Sequence, residues 1–70
     1  MLLRIRELRI DNDMSQQEVA NLIGMSQTGY SKYETGDVTP PAEILVKLAK
    51  LYNTSVDYLL GVTREKKPYK

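Results

Sequence analysis

Apolar residues recur every three or four positions along most of the chain, which is the spacing of one face of an α-helix. Five short helices are predicted from this pattern and from the residues that flank it. The first three predicted helices run from about Leu2 to Asn12, between Ser15 and Gly24, and between Ser26 and Gly36. A fourth helix follows the loop Thr39-Pro40-Pro41, since proline suits a first helical turn, and its apolar stripe extends from Ile44 to Tyr52. The fifth runs from Val56 to Leu60. No stretch of useful length alternates between apolar and polar residues as a strand would, so the predicted fold class is all-α.

The second helix carries the clearest local signals for its start and its end. Ser15 and Glu18 have the spacing of a capping box, in which each side chain accepts a hydrogen bond from the other residue's backbone amide. Met14 and Val19 flank this cap at the positions of a hydrophobic staple. Gly24 suits the left-handed conformation that often ends a helix. The third helix follows at once, with Ser26 as its predicted N-cap.

Two short capped helices joined by three residues meet the physical requirements of a helix-turn-helix. Ala20 is small where the two helices would cross, and Gly24 permits the turn between them. Four larger side chains are predicted to point inward together: Val19, Ile23, Tyr30 and Tyr33. In such a motif the second helix is presented outward, to the major groove of DNA.

The composition excludes several kinds of chemistry but does not by itself identify the function. The chain of 70 residues has room for one domain. It contains no cysteine and no histidine, so a disulfide framework, a thiolate metal site and a histidine base are all excluded. The carboxylates are spread over separate predicted helices and suggest no nucleophile and base pair. We therefore expect a protein that is not an enzyme and that uses no metal or cofactor.

The formal net charge of +1 shows no basic excess of the kind that often marks nucleic-acid binding. Residues 1–10 and 51–70 each carry +2, residues 11–25 carry −3, and residues 26–50 are neutral. Arg4 and Arg6 interrupt the apolar N-terminus, so no signal peptide is predicted. No apolar run approaches the ~20 residues that span a bilayer. A soluble, cytoplasmic protein without membrane contact is expected.

The segment from Gln16 to Glu34 resembles the core motif of the lambda-repressor-like family, also called the Cro/repressor or xenobiotic-response-element type. Five residues of the pattern fall in register at once: Ala20, Gly24, Glu34, Gly36 and Pro40. The resemblance extends over about residues 3–60. We therefore expect one helix-turn-helix domain over residues 1–62 and a basic, flexible tail over residues 63–70.

The resemblance also implies roles for individual side chains. It implies base contacts from Ser26, Gln27, Thr28 and Lys32, phosphate contacts from Gln16, Gln17 and Ser31, and a structural ion pair between Arg9 and Glu34. The chemistry of the first group agrees, because glutamine can bind adenine in a bidentate way, lysine can donate to guanine, and a threonine methyl group can touch thymine.

Some residues have an alternative interpretation. Arg9 could instead bind phosphate, and Tyr30 and Tyr33 could stack on bases rather than pack in the core. The basic tail around Lys66 and Lys67 could be a solvated end or an arm that tracks phosphates.

Three departures from the family pattern stand out. Gly29 lies inside the proposed recognition helix, where it either lets the backbone approach DNA or avoids a clash. Asp37, Val38 and Thr39 follow Gly36 where cations are frequent in the family. Tyr30 replaces a branched aliphatic residue, so its hydroxyl needs water or a partner.

Together these features predict a sequence-specific regulator of transcription that binds double-stranded DNA, most simply as a repressor. A single module of this size seldom reaches specific affinity alone, so a homodimer on a palindromic operator is expected, with half-sites ~10 bp apart or a multiple of that. Tyr58, Leu59 and Leu60 are the candidate dimer surface. The alternative is a protein-interaction module of the same fold, such as an antitoxin or an adaptor that binds a protein partner.

Overall fold

The computed structural model describes residues 3–64. This range contains five α-helices and no strand: α1 (Ile5–Asp11), α2 (Gln16–Ile23), α3 (Gln27–Thr35), α4 (Ala42–Leu51) and α5 (Val56–Leu60). The prediction of an all-α fold with five short helices is confirmed. None of these helices is long and apolar enough to cross a membrane. Leu2, the predicted start of the first helix, and residues 65–70, most of the predicted tail, lie outside the described residues.

Each of the five described helices is followed by a residue in the left-handed conformation. Asp13 (φ 55°) follows α1 and Asn53 (φ 53°) follows α4, while Gly24, Gly36 and Gly61 follow the other three. Asparagine and aspartate tolerate this conformation better than other residues with a Cβ atom. The helix ends were therefore predictable from these residue types alone.

The helix starts are less uniform than the helix ends. The hydroxyls of Ser15, Ser26 and Ser55 accept hydrogen bonds from backbone amides in the first turns of α2, α3 and α5. Helix α4 has no side-chain cap, and Pro41 occupies the N-cap itself rather than a position within the first turn. The Pro41 carbonyl oxygen accepts from the amides of Ile44 and Leu45 at 3.0 and 3.1 Å.

The core lies between all five helices and is built mainly from aliphatic side chains and tyrosines. Its buried members are Ile5, Leu8, Val19, Ala20, Ile23, Tyr30, Tyr33, Leu45, Leu48, Ala49, Tyr52 and Leu59. The two ends of the described chain meet at this core, because the Arg4 amide donates to the Leu59 carbonyl oxygen at 3.1 Å. This contact joins the start of α1 to α5.

The prediction that Leu59 belongs to a dimer surface is corrected by its burial. Its side chain is 0% exposed within the protomer, whereas its neighbours Tyr58 and Leu60 are half-buried. A one-turn helix packed against a core buries only the residues on its inner side, and Leu59 lies on that side of α5. Tyr58 and Leu60 are left as the candidate surface residues.

Candidate nucleic-acid interface

The turn between α2 and α3 is set by Gly24. Its left-handed conformation (φ 77°, ψ 35°) lets the Met25 amide reach back to the Ala20 carbonyl oxygen at 2.9 Å. This is the Schellman pattern of hydrogen bonding at a helix end. Ser26 then caps α3, with its hydroxyl accepting from the Gly29 amide at 3.2 Å. Three residues therefore end one helix and begin the next.

The start of α2 is held by the capping box that the sequence predicts. The Glu18 amide donates to the Ser15 hydroxyl at 3.1 Å, and the Ser15 amide donates to the Glu18 carboxylate at 3.0 Å. Both contacts are local and involve no other helix. Capping of α2 therefore explains the hydrogen bonds that both of these side chains make.

Helix α3 has one buried face and one exposed face. Tyr30, Tyr33 and Glu34 are buried, and they lie three to four residues apart as one side of a helix requires. The opposite side carries the four residues predicted to contact bases and one predicted to contact phosphate. Of these, Ser26, Gln27, Thr28 and Lys32 are exposed and Ser31 is half-buried.

The two buried tyrosines pack against each other rather than offering free ring faces. Their rings make an edge-to-face contact, with centroids 6.4 Å apart and planes at 89°. Tyr30 is 0% exposed. An enclosed ring cannot stack on a nucleic-acid base, so core packing accounts for Tyr30 and Tyr33.

Arg9 and Glu34 form a bidentate ion pair that ties α1 to α3. Arg9 Nε donates to Glu34 Oε2 at 2.7 Å, and Arg9 Nη2 donates to Glu34 Oε1 at 3.1 Å. Arg9 Nη1 donates to the Met14 carbonyl oxygen at 2.9 Å. The side chains are 14% and 3% exposed, respectively. The guanidinium of Arg9 is thus engaged on acceptors within the protomer.

The electrostatics of this pair favour the charged forms. Burial pushes the pKa of Glu34 upward, but the hydrogen bonds that its carboxylate accepts outweigh burial and leave the pKa lowered. The hydrogen bond to Glu34 raises the pKa of Arg9. Glu34 is therefore an ionised carboxylate at neutral pH.

A chain of side-chain hydrogen bonds leads from this ion pair to the exposed face of α3. Gln16 Nε2 donates to Glu34 Oε1 at 3.1 Å, and Gln27 Nε2 donates to Gln16 Oε1 at 2.9 Å. Gln17, the next residue on α2, lies outside this chain and donates to Asn21 at 2.8 Å. The contacts of Gln16 span 11 and 18 residues of sequence. No local signal could have indicated them.

Gly29 has a packing explanation. A Cβ atom at this position would lie 3.0 Å from Met25 Cε and 3.2 Å from Ser26 Oγ. Both neighbours belong to the turn that precedes α3. Of the two explanations considered above, avoidance of a clash is therefore the one with a contact to support it.

The two remaining candidate dimer residues, Tyr58 and Leu60, lie beside the first and last described residues of the chain. The guanidinium of Arg4 lies 4.4 Å above the ring centroid of Tyr58, and Arg4 Nη1 donates to the Thr63 carbonyl oxygen at 3.2 Å. Leu60 lines an apolar cavity of about 150 Å³ together with Leu3, Tyr33, Val38, Thr39 and Pro40. The Arg4 guanidinium therefore already covers one face of the Tyr58 ring within the protomer.

Two capped helices at a glycine turn, the second of which presents a polar face, define a helix-turn-helix protein. Sequence comparison agrees, because the sequence profile described as "Helix-turn-helix" matches residues 5–59. The chain belongs to the helix-turn-helix family.

The relatives and a solved structure point to the same class. The chain is 40% identical over 65 residues to an uncharacterised HTH-type transcriptional regulator, YobD, of Bacillus subtilis, covering 93% of this chain and 58% of that protein. It is 42% identical over 58 residues to the cryptic phage CTXphi transcriptional repressor RstR of Vibrio cholerae, covering 83% and 52%. The chain thus spans little more than half the length of these curated relatives.

Among solved structures, the fold is similar to that of the P22 c2 repressor in complex with a synthetic operator. The TM-score is 0.75 at 32% sequence identity, and the match covers 80% of this chain and 85% of the other. This similarity confirms the predicted lambda-repressor-like fold.

Proposed function

We propose that this chain is the DNA-binding unit of a transcriptional regulator that represses by occupying a specific double-stranded operator. The observation that carries the proposal is the exposed polar face of α3, which is held in place by a buried ion pair on the opposite side of the same helix. The similarity to a repressor structure that includes an operator supports it. The proposed activity is binding in the cytoplasm and not catalysis.

Within this proposal, the exposed face of α3 enters the major groove. Gln27, Thr28 and Lys32 contact base edges, and Ser26 does so from the N-cap. Gln16, Gln17 and Ser31 contact phosphates on either side of the groove. The N-terminal backbone amides of α2 add to the attraction for phosphate, because a helix N-terminus carries partial positive charge.

The proposed binding form is a homodimer on a palindromic operator. One domain of this size buries too little surface for tight specific binding, whereas two copies double the contacts. Tyr58 and Leu60 are the proposed dimer residues, since Leu59 is enclosed. Two-fold symmetry then requires half-sites ~10 bp apart or a multiple of that.

Selection from a randomised double-stranded DNA library tests this function most directly. We expect enrichment of a palindromic motif with the spacing given above. The double variant Gln27→Ala/Lys32→Ala is the control, because both side chains are exposed and their loss should leave the fold intact. It should select no motif while its circular dichroism spectrum stays unchanged. Failure of the wild type to enrich any motif would contradict the proposal.

The alternative function, a protein-interaction module, is favoured by one surface feature. Leu22 is 62% exposed and borders a shallow apolar groove with Ile23, Lys47, Lys50 and Leu51. A contiguous apolar surface, unlike a single exposed leucine, is the kind of surface that binds protein partners. Absence of an enriched DNA motif together with a stable protein complex in a pull-down would support this alternative.

A further inference from the structure

We propose that a second copy of this chain docks its α1 helix onto the groove between α2 and α4. This groove, called the basic groove below, is lined by Leu22, Ile23, Lys47, Lys50 and Leu51. The surface that docks there, called the acidic patch, consists of Glu7, Ile10, Asp11 and Asp13. The inference goes beyond DNA binding and holds or fails independently of it.

The basic groove combines exposed apolar surface with positive charge. Leu22 of α2 is 62% exposed. Lys47 and Lys50 of α4 are exposed, and the residues that line the groove include no carboxylate. Because the two lysines are three residues apart, they project from one side of α4 with their Cβ atoms about 5–6 Å from each other. A complementary surface therefore needs an apolar side chain accompanied by negative charges at a similar spacing.

The acidic patch on α1 meets these requirements. Glu7, Ile10 and Asp11 are exposed, and spacings of three and four residues place them on one face of the helix. Ile10 is 52% exposed, so a large apolar side chain accompanies the two carboxylates. The Cβ atoms of Glu7 and Asp11 are also about 5–6 Å apart, which matches the lysine pair. Asp13 adds a third negative charge, and Arg6 is the one neighbouring cation, so negative charge is in excess.

The charges of the two surfaces are not paired with each other within the protomer. Among residues 3–64, the one salt bridge joins Arg9 to Glu34. The ammonium group of Lys47 donates one long hydrogen bond, 3.4 Å, to the Ile23 carbonyl oxygen and has further donors. The carboxylates of the acidic patch and the ammonium groups of the basic groove are therefore available to pair between copies.

A second copy is the occupant that the chain itself supplies, because both halves of the contact are present in one sequence. The formal net charge of +1 also gives little repulsion between copies. The two surfaces are unlike, so the contact is head-to-tail. Neither surface includes a residue proposed to contact DNA, and neither includes Tyr58 or Leu60. Docking thus leaves the proposed DNA-binding face and the proposed two-fold contact available.

The first measurement follows the backbone amide chemical shifts of the free wild-type protein as its concentration is raised into the millimolar range. The surfaces are small, so we expect weak association. The shifts of residues 7–13 should change together with those of Leu22 and residues 47–51, and one dissociation constant should describe both sets. Added salt should weaken the association, because exposed ion pairs are screened.

Two outcomes of this measurement would overturn the proposal. One is a lack of concentration dependence at either surface. The other is a set of changes confined to the surroundings of Tyr58 and Leu60, which would indicate the proposed two-fold contact alone. Because no DNA is present, neither outcome depends on whether the chain binds an operator.

Charge reversal then tests the pairing itself. Glu7→Lys/Asp11→Lys reverses the acidic patch, and Lys47→Glu/Lys50→Glu reverses the basic groove. Each double variant should weaken association by about fivefold or more, since attractive pairs become repulsive. The quadruple variant should regain the wild-type affinity to within about twofold, because opposite charges face each other again. All four side chains are exposed, so circular dichroism should show an unchanged fold.

The matched control is Asp37→Lys/Glu43→Lys. It changes the net charge by the same amount as reversal of the acidic patch, but both of its residues are exposed and lie outside the two surfaces. It should associate as the wild type does. If the control loses association as strongly as the patch variant, or if the quadruple variant does not recover, net charge rather than a docked contact governs association and the proposal is wrong.

Discussion

The two faces of α3 differ in the environment of their polar groups, which are buried and hydrogen-bonded on one face and exposed to solvent on the other. On the inner face, Glu34 is buried and its carboxylate accepts hydrogen bonds from both Arg9 and Gln16. On the outer face, Thr28 and Lys32 are exposed to solvent. One helix of nine residues thus has two different faces: the inner residues hold the helix in position, and the outer residues remain accessible to solvent.

The polar groups packed around the inner face of α3 are not all equally well hydrogen-bonded. The hydroxyls of Tyr30 and Tyr52 are buried with no hydrogen-bond partner of standard geometry among residues 3–64. The Tyr30 hydroxyl still interacts with the Glu34 carboxylate, and the Tyr52 hydroxyl with that of Tyr30, at looser hydrogen-bond geometry. Burial raises the pKa of each tyrosine. The two tyrosine hydroxyls are thus less well hydrogen-bonded than the ion pair beside them.

The largest expected effect comes from breaking the inner face. Glu34→Ala removes the partner of a nearly buried guanidinium and should reduce the free energy of unfolding by about 3–5 kcal/mol. A domain of this size is stabilised by roughly 4–10 kcal/mol in total, so the variant should lose a large part of its stability. Urea denaturation followed by circular dichroism measures the change. A loss below about 1 kcal/mol would show that the pair is dispensable.

The lowered pKa of Glu34 also predicts how acid affects stability, and the same variant tests this prediction. The pKa of Glu34 is lowered on folding, so its contribution is present above the unfolded value of about 4.3 and is lost as the pH falls toward the folded value. The wild type should therefore lose stability below pH ~4.3, and Glu34→Ala should lose less over the same range. Parallel acid titrations of the two proteins would separate this contribution from that of the other carboxylates.

An intermediate effect is expected from the outer face, and it concerns binding rather than stability. Lys32→Ala should weaken the selected operator by about 1–3 kcal/mol if Lys32 contacts a base, and weaken random DNA much less. Its free energy of unfolding should stay within about 0.5 kcal/mol of the wild type, because Lys32 is exposed. Fluorescence anisotropy on both DNA types provides the measurement. An equal loss on both would make Lys32 a phosphate ligand.

The smallest effect is expected at Tyr30. Tyr30→Phe removes a buried hydroxyl that lacks a well-formed hydrogen bond, so stability at neutral pH should change by no more than about 1 kcal/mol. Because the folded pKa of Tyr30 is raised, the unfolded chain loses its proton first above pH ~10, and stability falls as the pH rises further. Tyr30→Phe should lessen that alkaline loss. Thermal melts of the wild type and Tyr30→Phe at pH 7 and pH 10.5 would test both statements. A stability loss in Tyr30→Phe well above 1 kcal/mol at pH 7 would contradict the first, and an equal alkaline loss in both proteins would contradict the second.

Most of the local structure was predictable because its causes lie within a few residues of each other. Ser15 and Glu18 are three residues apart and form the predicted capping box, and Gly24 ends α2 as expected. The resemblance of residues 16–34 to a known motif supplied the ion pair between Arg9 and Glu34, which the structure contains. Leu59 was placed wrongly, because the pattern of a one-turn helix is too short to distinguish its inner side from its outer side.

By itself the amino-acid sequence determined the five helices, their caps and their left-handed ends, since these depend on backbone conformation and on contacts within about four residues. Only the tertiary structure decided that Glu34, Gln16 and Gln27 form one hydrogen-bonded chain. Those contacts exist because α2 and α3 cross at the Gly24 turn and bring distant side chains within 3.1 Å. Local preferences of the chain cannot encode such a distance, because it depends on how whole helices pack.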